Sequence, residues 1–380
     1  MYMKLRVLGL SAGNGVLLFP FRKYVVANIE IRSVFQTEVD KQWYLNFPDS
    51  ELYRNLKPTA GQFPELGRID VVLGHPNCGA GSVLRLAKSK AYASSRGDES
   101  IDLFFKGINH YKPKFFLFEN LVAIFKSYPK EEFRQIFKGY QLKFFSGPVA
   151  KWGNSQIGRK RLVIVGIRED QIIHARAFKL PKQENIQLKD CKALEKLLAA
   201  QLKQYSKEEL FHLREPDNTV MHMERNWKRL NLKEIRDEWN KPENQNKKSW
   251  DAKTHGKGRM KTLPGVYRNR LTDLPRAVLR NNRQFDPYGN IMSPRQLANI
   301  QGVDTEFKLY YDPTKLNYCL NKARVTIAKS PPMDIGKWFY RKIKKQLSNG
   351  ITTKQPHTRL SAATRPVMGT SGKQSSKKGK

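Results

Sequence analysis

Cys78, Cys191 and Cys319 are the three cysteines of this 380-residue chain, and their wide, irregular spacing offers neither a zinc signature nor a disulfide framework. Cys78 stands apart from the other two. It lies in Asp70-Val71-Val72-Leu73-Gly74-His75-Pro76-Asn77-Cys78-Gly79-Ala80-Gly81-Ser82, just beyond an apolar run and inside a Gly/Pro-rich turn. A cysteine in a core is commonly inert, whereas one at the carboxyl end of a strand, in a turn, is placed to react as a thiolate. Glu119 follows the all-apolar Phe115-Phe116-Leu117-Phe118. A carboxylate there is partly desolvated, which raises its pKa and suits it to donate a proton; the competing reading is an exposed strand-end acid. Arg159 and Arg161 alternate at the start of another apolar run, so they share one face of a strand. They read either as a solvated charge run or as a pair holding a phosphate or a base carbonyl. Finally, Leu10-Ser11-Ala12-Gly13-Asn14-Gly15 makes a glycine turn after the first apolar run, and Glu30 follows the next one. Glycines there let a backbone approach a ligand, and an acid after the second strand suits the two hydroxyls of a ribose.

The elements that position these residues are legible as strands over Lys4–Leu10, Tyr24–Ile29, Asp70–Gly74, Lys114–Phe118, Tyr140–Phe145 and Arg161–Ile167. Several are apolar at consecutive positions, as in strands buried on both faces. Helical patterns, such as Lys130–Lys138, lie between some of them. The fold class expected is α/β, an open sheet with helices on both sides, in which ligands bind outside the carboxyl ends of the strands. The first 170 residues form this unit. From Glu169 to Asp286 the chain is less regular: Lys192–Glu209 reads as a helix, and Asn240–Lys261 is polar, basic and poor in aliphatics. Order returns near Ser293-Pro294-Arg295-Gln296, a cap followed by proline in the first turn. Lys337–Leu347 reads as a basic amphipathic helix. Residues 351–380 carry seven basic and no acidic residues, a disordered tail with a nonspecific grip on phosphates.

Lysine and arginine total 70 against 34 acidic residues, a net charge of +36. An enzyme of small neutral substrates does not need that excess; a polyanion partner does, because each neutralised phosphate releases counterions. Nucleic acid is therefore the expected partner. No run of eighteen or more apolar residues occurs, so no membrane is expected, and the N-terminus lacks a secretory pattern, which points to the cytoplasm.

In order and spacing, these motifs resemble those of the DNA cytosine 5-methyltransferases from Leu10 to about Trp338. Ala12-Gly13-Asn14-Gly15 is similar to the family's cofactor turn, Glu30 to its ribose acid, and Gly74-His75-Pro76-Asn77-Cys78 to its Gly-Gly-Pro-Pro-Cys nucleophile motif. Glu119-Asn120 resembles its Glu-Asn-Val, and Gln156 with Arg159 and Arg161 its Gln-x-Arg-x-Arg. Ser293 to Gly302 resembles the segment that braces target recognition. The resemblance implies a Rossmann-like methyltransferase sheet with S-adenosylmethionine held by Leu10, Ala12, Gly13, Asn14, Gly15, Glu30, Ile31 and Pro76. It implies Cys78, Glu119, Arg159 and Arg161 as catalytic residues, no metal, and double-stranded DNA as substrate for a monomer. Residues 1–170 would be the catalytic and cofactor-binding domain, 171–286 the target-recognition region, and 287–350 a segment returning to the catalytic domain. Cys78 would attack carbon-6 of a flipped-out cytosine, with Gly79–Gly97 as the loop closing over it. A bacterial or phage methylase of the restriction-modification type is the expectation; an RNA cytosine methyltransferase and a noncatalytic DNA-binding relative are the alternatives.

The chain also departs from the family's pattern. Ser11 replaces an aromatic residue, Val16 a glycine, Asn77 a proline, Leu121 a valine and Gln296 an acid. Gln156 lies one residue too far from the arginines, and Lys329-Ser330-Pro331-Pro332 stands where the family closes on Gly-Asn-Ala-Val-Pro.

Overall fold

The computed structural model describes residues 5–31, 36–56, 63–77, 96–153, 156, 159–171, 178–180, 237, 241–242, 249–250, 266–268, 283–285 and 291–349. Cys78, helix candidate Lys192–Glu209, nearly all of Gly79–Gly97 and the tail after Gly350 lie outside these residues.

Seven strands make one sheet: β1 (Val7–Leu10), β2 (Val25–Ile29), β3 (Glu51–Tyr53), β4 (Val71–Gly74), β5 (Phe115–Asn120), β6 (Tyr140–Pro148) and β7 (Lys160–Arg168), ordered β3-β2-β1-β4-β5-β7-β6. The first five pair in parallel, and β7 runs antiparallel between β5 and β6. All six strands legible in the sequence are present. β3 was not foreseen, because three half-exposed edge residues carry no apolar run. Since β7 is reversed, its beginning, not its end, lies beside the carboxyl ends of β1, β2, β4 and β5. Arg161 thereby arrives at the ligand-binding rim.

Alternation of side chains splits the core into two layers. On one face Val7, Val71, Leu73, Phe115, Leu117, Val163 and Val165 pack with residues of α1 (Gln36–Asn46), α4 (Pro294–Ile300), α5 (Leu316–Lys329) and α6 (Met333–Asn349). On the other, Leu8, Leu10, Val72, Phe116, Phe118, Leu162 and Ile164 pack with α2 (Glu99–Tyr111) and α3 (Lys130–Ile136). Helices thus cover both faces. A second sheet of three short strands, β8 (Ser249–Trp250), β9 (Val266–Arg268) and β10 (Arg283–Phe285), has β9 in its middle.

Local chemistry explains the ends of these elements. Asp98 caps α2 by accepting from the Ser100 amide at 3.0 Å. Ser293 and Gln296 form a reciprocal capping box on α4, so the glutamine that replaces the family's acid keeps the acid's local role. α6 lies against the 3-10 turn Phe19–Tyr24, with Phe21 5.0 Å from Tyr340 and 6.0 Å from Phe339 between ring centroids. At Gly336 an added Cβ would sit 2.2 Å from the Leu17 carbonyl oxygen, so only glycine lets α6 come this close.

Phe116 is fully buried and lies 4.6 Å from Phe137, 5.1 Å from Tyr140 and 6.0 Å from Phe104. Truncating it removes apolar burial and leaves a cavity among rigid rings. Phe116→Ala is expected to lower the unfolding free energy by about 3–5 kcal/mol, read from urea unfolding curves.

Candidate active site

The glycine turn after β1 is built by strain-tolerant backbone and by side chains of β2. Ser11 and Gly13 adopt φ of 53° and 60°, and Gly15 adopts 82°. At Gly15 a Cβ would lie 2.2 Å from the Phe47 ring, so glycine is needed there for both conformation and space. Glu30 Oε1 accepts from the Gly13 amide at 2.7 Å and from Asn28 Nδ2 at 2.8 Å, while Asn28 Oδ1 accepts from the Ala12 amide at 3.3 Å. The acid expected to bind a ribose therefore also fixes the turn. Ser11 Oγ and Asn14 Nδ2 are buried polar atoms with no hydrogen-bond partner in the protein. Buried polar groups are almost always paired, so these two orphans at a glycine turn fit a polar ligand such as the amino-acid end of S-adenosylmethionine. Leu10 is buried at the end of β1, and Ile31 lies partly buried after β2.

The second strand end is that of β4. Gly74 meets the neighbouring strand closely: a Cβ there would be 2.2 Å from the Leu10 carbonyl oxygen. His75 follows, with its amide donating to the Ser11 carbonyl at 3.4 Å and its Nε2 3.3 Å from where a Cβ on Gly13 would stand. Desolvation, with Arg161 and Arg159 nearby, lowers its pKa to about 4, so the imidazole is neutral at neutral pH. Its part in joining the cofactor turn to the catalytic face was missed in the sequence, although it stands inside the nucleophile motif. Pro76 is buried and its carbonyl accepts from Asn120 Nδ2 at 3.2 Å. Asn77, where the family has proline, donates from its backbone to Ser100 Oγ at 2.8 Å and from Nδ2 to Asp98 Oδ2 at 2.9 Å. The substitution exchanges a ring constraint for two hydrogen bonds to the start of α2. Cys78 is the next residue.

Glu119 and Arg161 meet across β5 and β7. Register pairs Glu119 with Val163, which makes Arg161 its diagonal neighbour, and Arg161 Nε lies 2.8 Å from Glu119 Oε1. Both are nearly buried, with side-chain exposures of 14% and 5%. Burial pushes the Glu119 pKa up, against the opposing pull of Arg161 and then Arg159. The sequence-based expectation of a desolvated acid thus agrees with the geometry. Arg159 shares the face with Arg161 but is committed elsewhere: its Nη2 donates to the Ser330 carbonyl at 2.6 Å, with Ala328 O at 3.5 Å. Its charge reaches Glu119 and His75, while its fork is engaged by the end of α5. Gln156, one residue out of the family's spacing, donates to Gln301 Oε1 at 2.8 Å, and Gln301 donates to Ile327 O at 2.9 Å.

Among the described residues no group of three or more His, Cys, Asp or Glu could hold a metal ion, and no helix is long and apolar enough to cross a membrane.

A turn for a nucleoside cofactor, a nucleophile motif on the adjacent strand and a buried acid-arginine pair on the next one are the parts of a methyltransferase acting on a pyrimidine base. The family model for C-5 cytosine-specific DNA methylases matches residues 5–325. The chain belongs to that family. Solved structures share its fold. A protein assigned as a DNA modification methyltransferase encoded within an E. coli prophage aligns over 90% of this chain and 99% of its own, at 15% identity and a TM-score of 0.59. The Entamoeba histolytica methyltransferase EhMeth aligns over 93% and 100%, at 11% identity and a TM-score of 0.53. A Spodoptera frugiperda DNMT2 mutant aligns over 90% and 99%, at 12% identity and 0.50. No curated protein sequence matches the chain.

Removing Arg161 leaves Glu119 buried with its pKa raised further, since two influences that lower it, a hydrogen bond and a charge, go together. An acid with a raised folded pKa gives stability that is present below its unfolded value and lost as pH rises through the folded one. Arg161→Ala should therefore lose about 3–5 kcal/mol at pH 8 and distinctly less at pH 5. Urea midpoints across that range measure it, and a loss independent of pH would contradict the pairing.

Proposed function

We propose that the protein transfers a methyl group from S-adenosylmethionine to carbon-5 of cytosine in double-stranded DNA, using Cys78 as nucleophile. The observation that carries this reading is the buried Glu119–Arg161 pair at 2.8 Å. It lies beside the strand that leads to Cys78 and one further strand from the glycine turn. Such a pair is costly to bury unless its partners act on something.

Carbon-5 of cytosine is a weak nucleophile. The Cys78 thiolate adds to carbon-6 and makes carbon-5 enamine-like. Glu119, with its raised pKa, holds a proton at the ring nitrogen and so stabilises the charge this attack creates. Arg161 orients Glu119 through Nε and faces the base carbonyl. His75, neutral and set against Gly13, separates the nucleophile turn from the cofactor turn without adding charge. Leu10, Ala12, Gly13, Asn14, Gly15, Glu30, Ile31 and Pro76 would hold the cofactor. When bound, it supplies the methyl group on an electrophilic sulfonium carbon. After transfer, carbon-5 loses its proton and Cys78 leaves carbon-6, restoring the aromatic ring. The base must stand outside the helix stack for any of this, which requires flipping. The +36 charge supports a polyanionic substrate, and 171–286 is the segment proposed to read its sequence, in a monomer of restriction-modification type.

Labelled methyl transfer to unmethylated duplex DNA tests the reading. Label on cytosine is expected with the native protein, none with Cys78→Ala, and roughly 100- to 10,000-fold less kcat with Glu119→Gln. Undiminished transfer by Cys78→Ala would refute the covalent route. Preference for RNA in a competition between the two substrates would replace DNA as the substrate.

A further inference from the structure

Ser330 is a buried residue far from every motif that carries the chemistry, yet four segments converge on it. Its Oγ lies 3.0 Å from Asn14 Oδ1 in the glycine turn and 2.8 Å from Thr326 O in α5. Its carbonyl oxygen accepts from Arg159 at 2.6 Å and from Gln301 Nε2 at 3.4 Å, and Gln301 in turn accepts from Gln156 at 2.8 Å. Asn14, Gln156, Arg159, Gln301 and Ser330 are each at most 3% exposed. Water cannot replace these bonds, and a buried polar group that loses its partner bears the full desolvation cost.

We propose that Ser330 is a positioning residue, its hydroxyl setting the orientation of Asn14 for the cofactor while its backbone carbonyl fixes Arg159 for the base. The two functions of one residue are chemically separate. A hydroxyl carries one proton, so Oγ cannot donate to Asn14 and Thr326 at once. Both contacts are satisfied when Oγ donates to Thr326 O and the Asn14 amide turns its Nδ2 toward Oγ. In that arrangement the amide oxygen of Asn14 is left facing the turn as an acceptor, suited to an ammonium group. The side chain of Ser330 therefore decides which atom Asn14 offers to a ligand. Its carbonyl, which any residue at 330 retains, keeps Arg159 and its charge near Glu119 and His75 whatever happens to the hydroxyl. The inference rests on the proposed use of S-adenosylmethionine.

The experiment is calorimetric titration of the full chain with S-adenosylmethionine, alongside steady-state kinetics, for Ser330→Ala and Ser330→Thr. Ser330→Ala is expected to bind the cofactor about 2- to 10-fold more weakly, the worth of one neutral hydrogen bond. Its KM for DNA and the pH profile of kcat should match the native protein, because Arg159 keeps its acceptor. Ser330→Thr, which keeps a hydroxyl, should restore affinity. Unchanged cofactor affinity in Ser330→Ala overturns the proposal. So does a parallel loss of cofactor affinity, DNA affinity and melting temperature, which is the mark of a merely structural residue. If the native protein itself binds no S-adenosylmethionine, the proposed reaction fails rather than the role of Ser330 alone.

Discussion

The Arg161–Glu119 ion pair is the interaction around which the site is arranged, because a pair buried this deeply constrains everything that holds it. Desolvating two charges costs several kcal/mol each, and only close geometry repays it. That geometry requires β7 to run antiparallel beside β5 in the register that makes Arg161 the diagonal neighbour of Glu119. It requires the odd-numbered face of both strands to be covered, which α4, α5 and α6 accomplish. It also requires that the second arginine on this face be stabilised without competing for Glu119. The Ser330 carbonyl meets that need by drawing Arg159 toward the end of α5. Two cations beside one acid would otherwise hold the carboxyl ionised and poor at donating a proton.

Much of this was legible in the sequence, for physical reasons. Phe115-Phe116-Leu117-Phe118 and Leu162-Val163-Ile164-Val165 are apolar at consecutive positions because both faces of a central strand are buried, and runs of that kind are unambiguous when an acid or glycine ends them. The desolvation of Glu119 followed from the same run. Asp98, which caps α2, was not singled out, and neither were α1 and α5: α1 is polar over most of its length, with Trp43 and Phe47 supplying its core contacts. The partners of Arg159, Gln156 and Asn14 could not be read at all. Each lies 145 to 316 residues away in the chain, and side-chain pairing over that distance leaves no local pattern.

The departures from the family's motifs fall into place as local exchanges of one constraint for another. Asn77 gives up a rigid ring and gains two bonds to the cap of α2. Gln296 gives up a charge and keeps the capping box. Gln156, shifted by one residue from the arginines, still finds a buried amide partner in Gln301. In each case the replacement is polar and its polar atoms are satisfied, which is what burial demands. A motif read letter by letter would score these positions as losses, whereas hydrogen-bond accounting scores them as substitutions of equal standing.

The bond between Asn14 and Ser330 spans 316 residues, and that separation has a temporal side. A ribosome adding roughly 5–20 residues per second delivers the glycine turn about 15–60 s before its distal clamp. During that interval the emerging chain carries an unlatched pocket and an arginine without its carbonyl acceptor. A translation product cut short before α5 would possess the nucleophile turn and the acid yet lack their final alignment. Incomplete products are thereby kept from modifying a base while still tethered to the machinery that makes them.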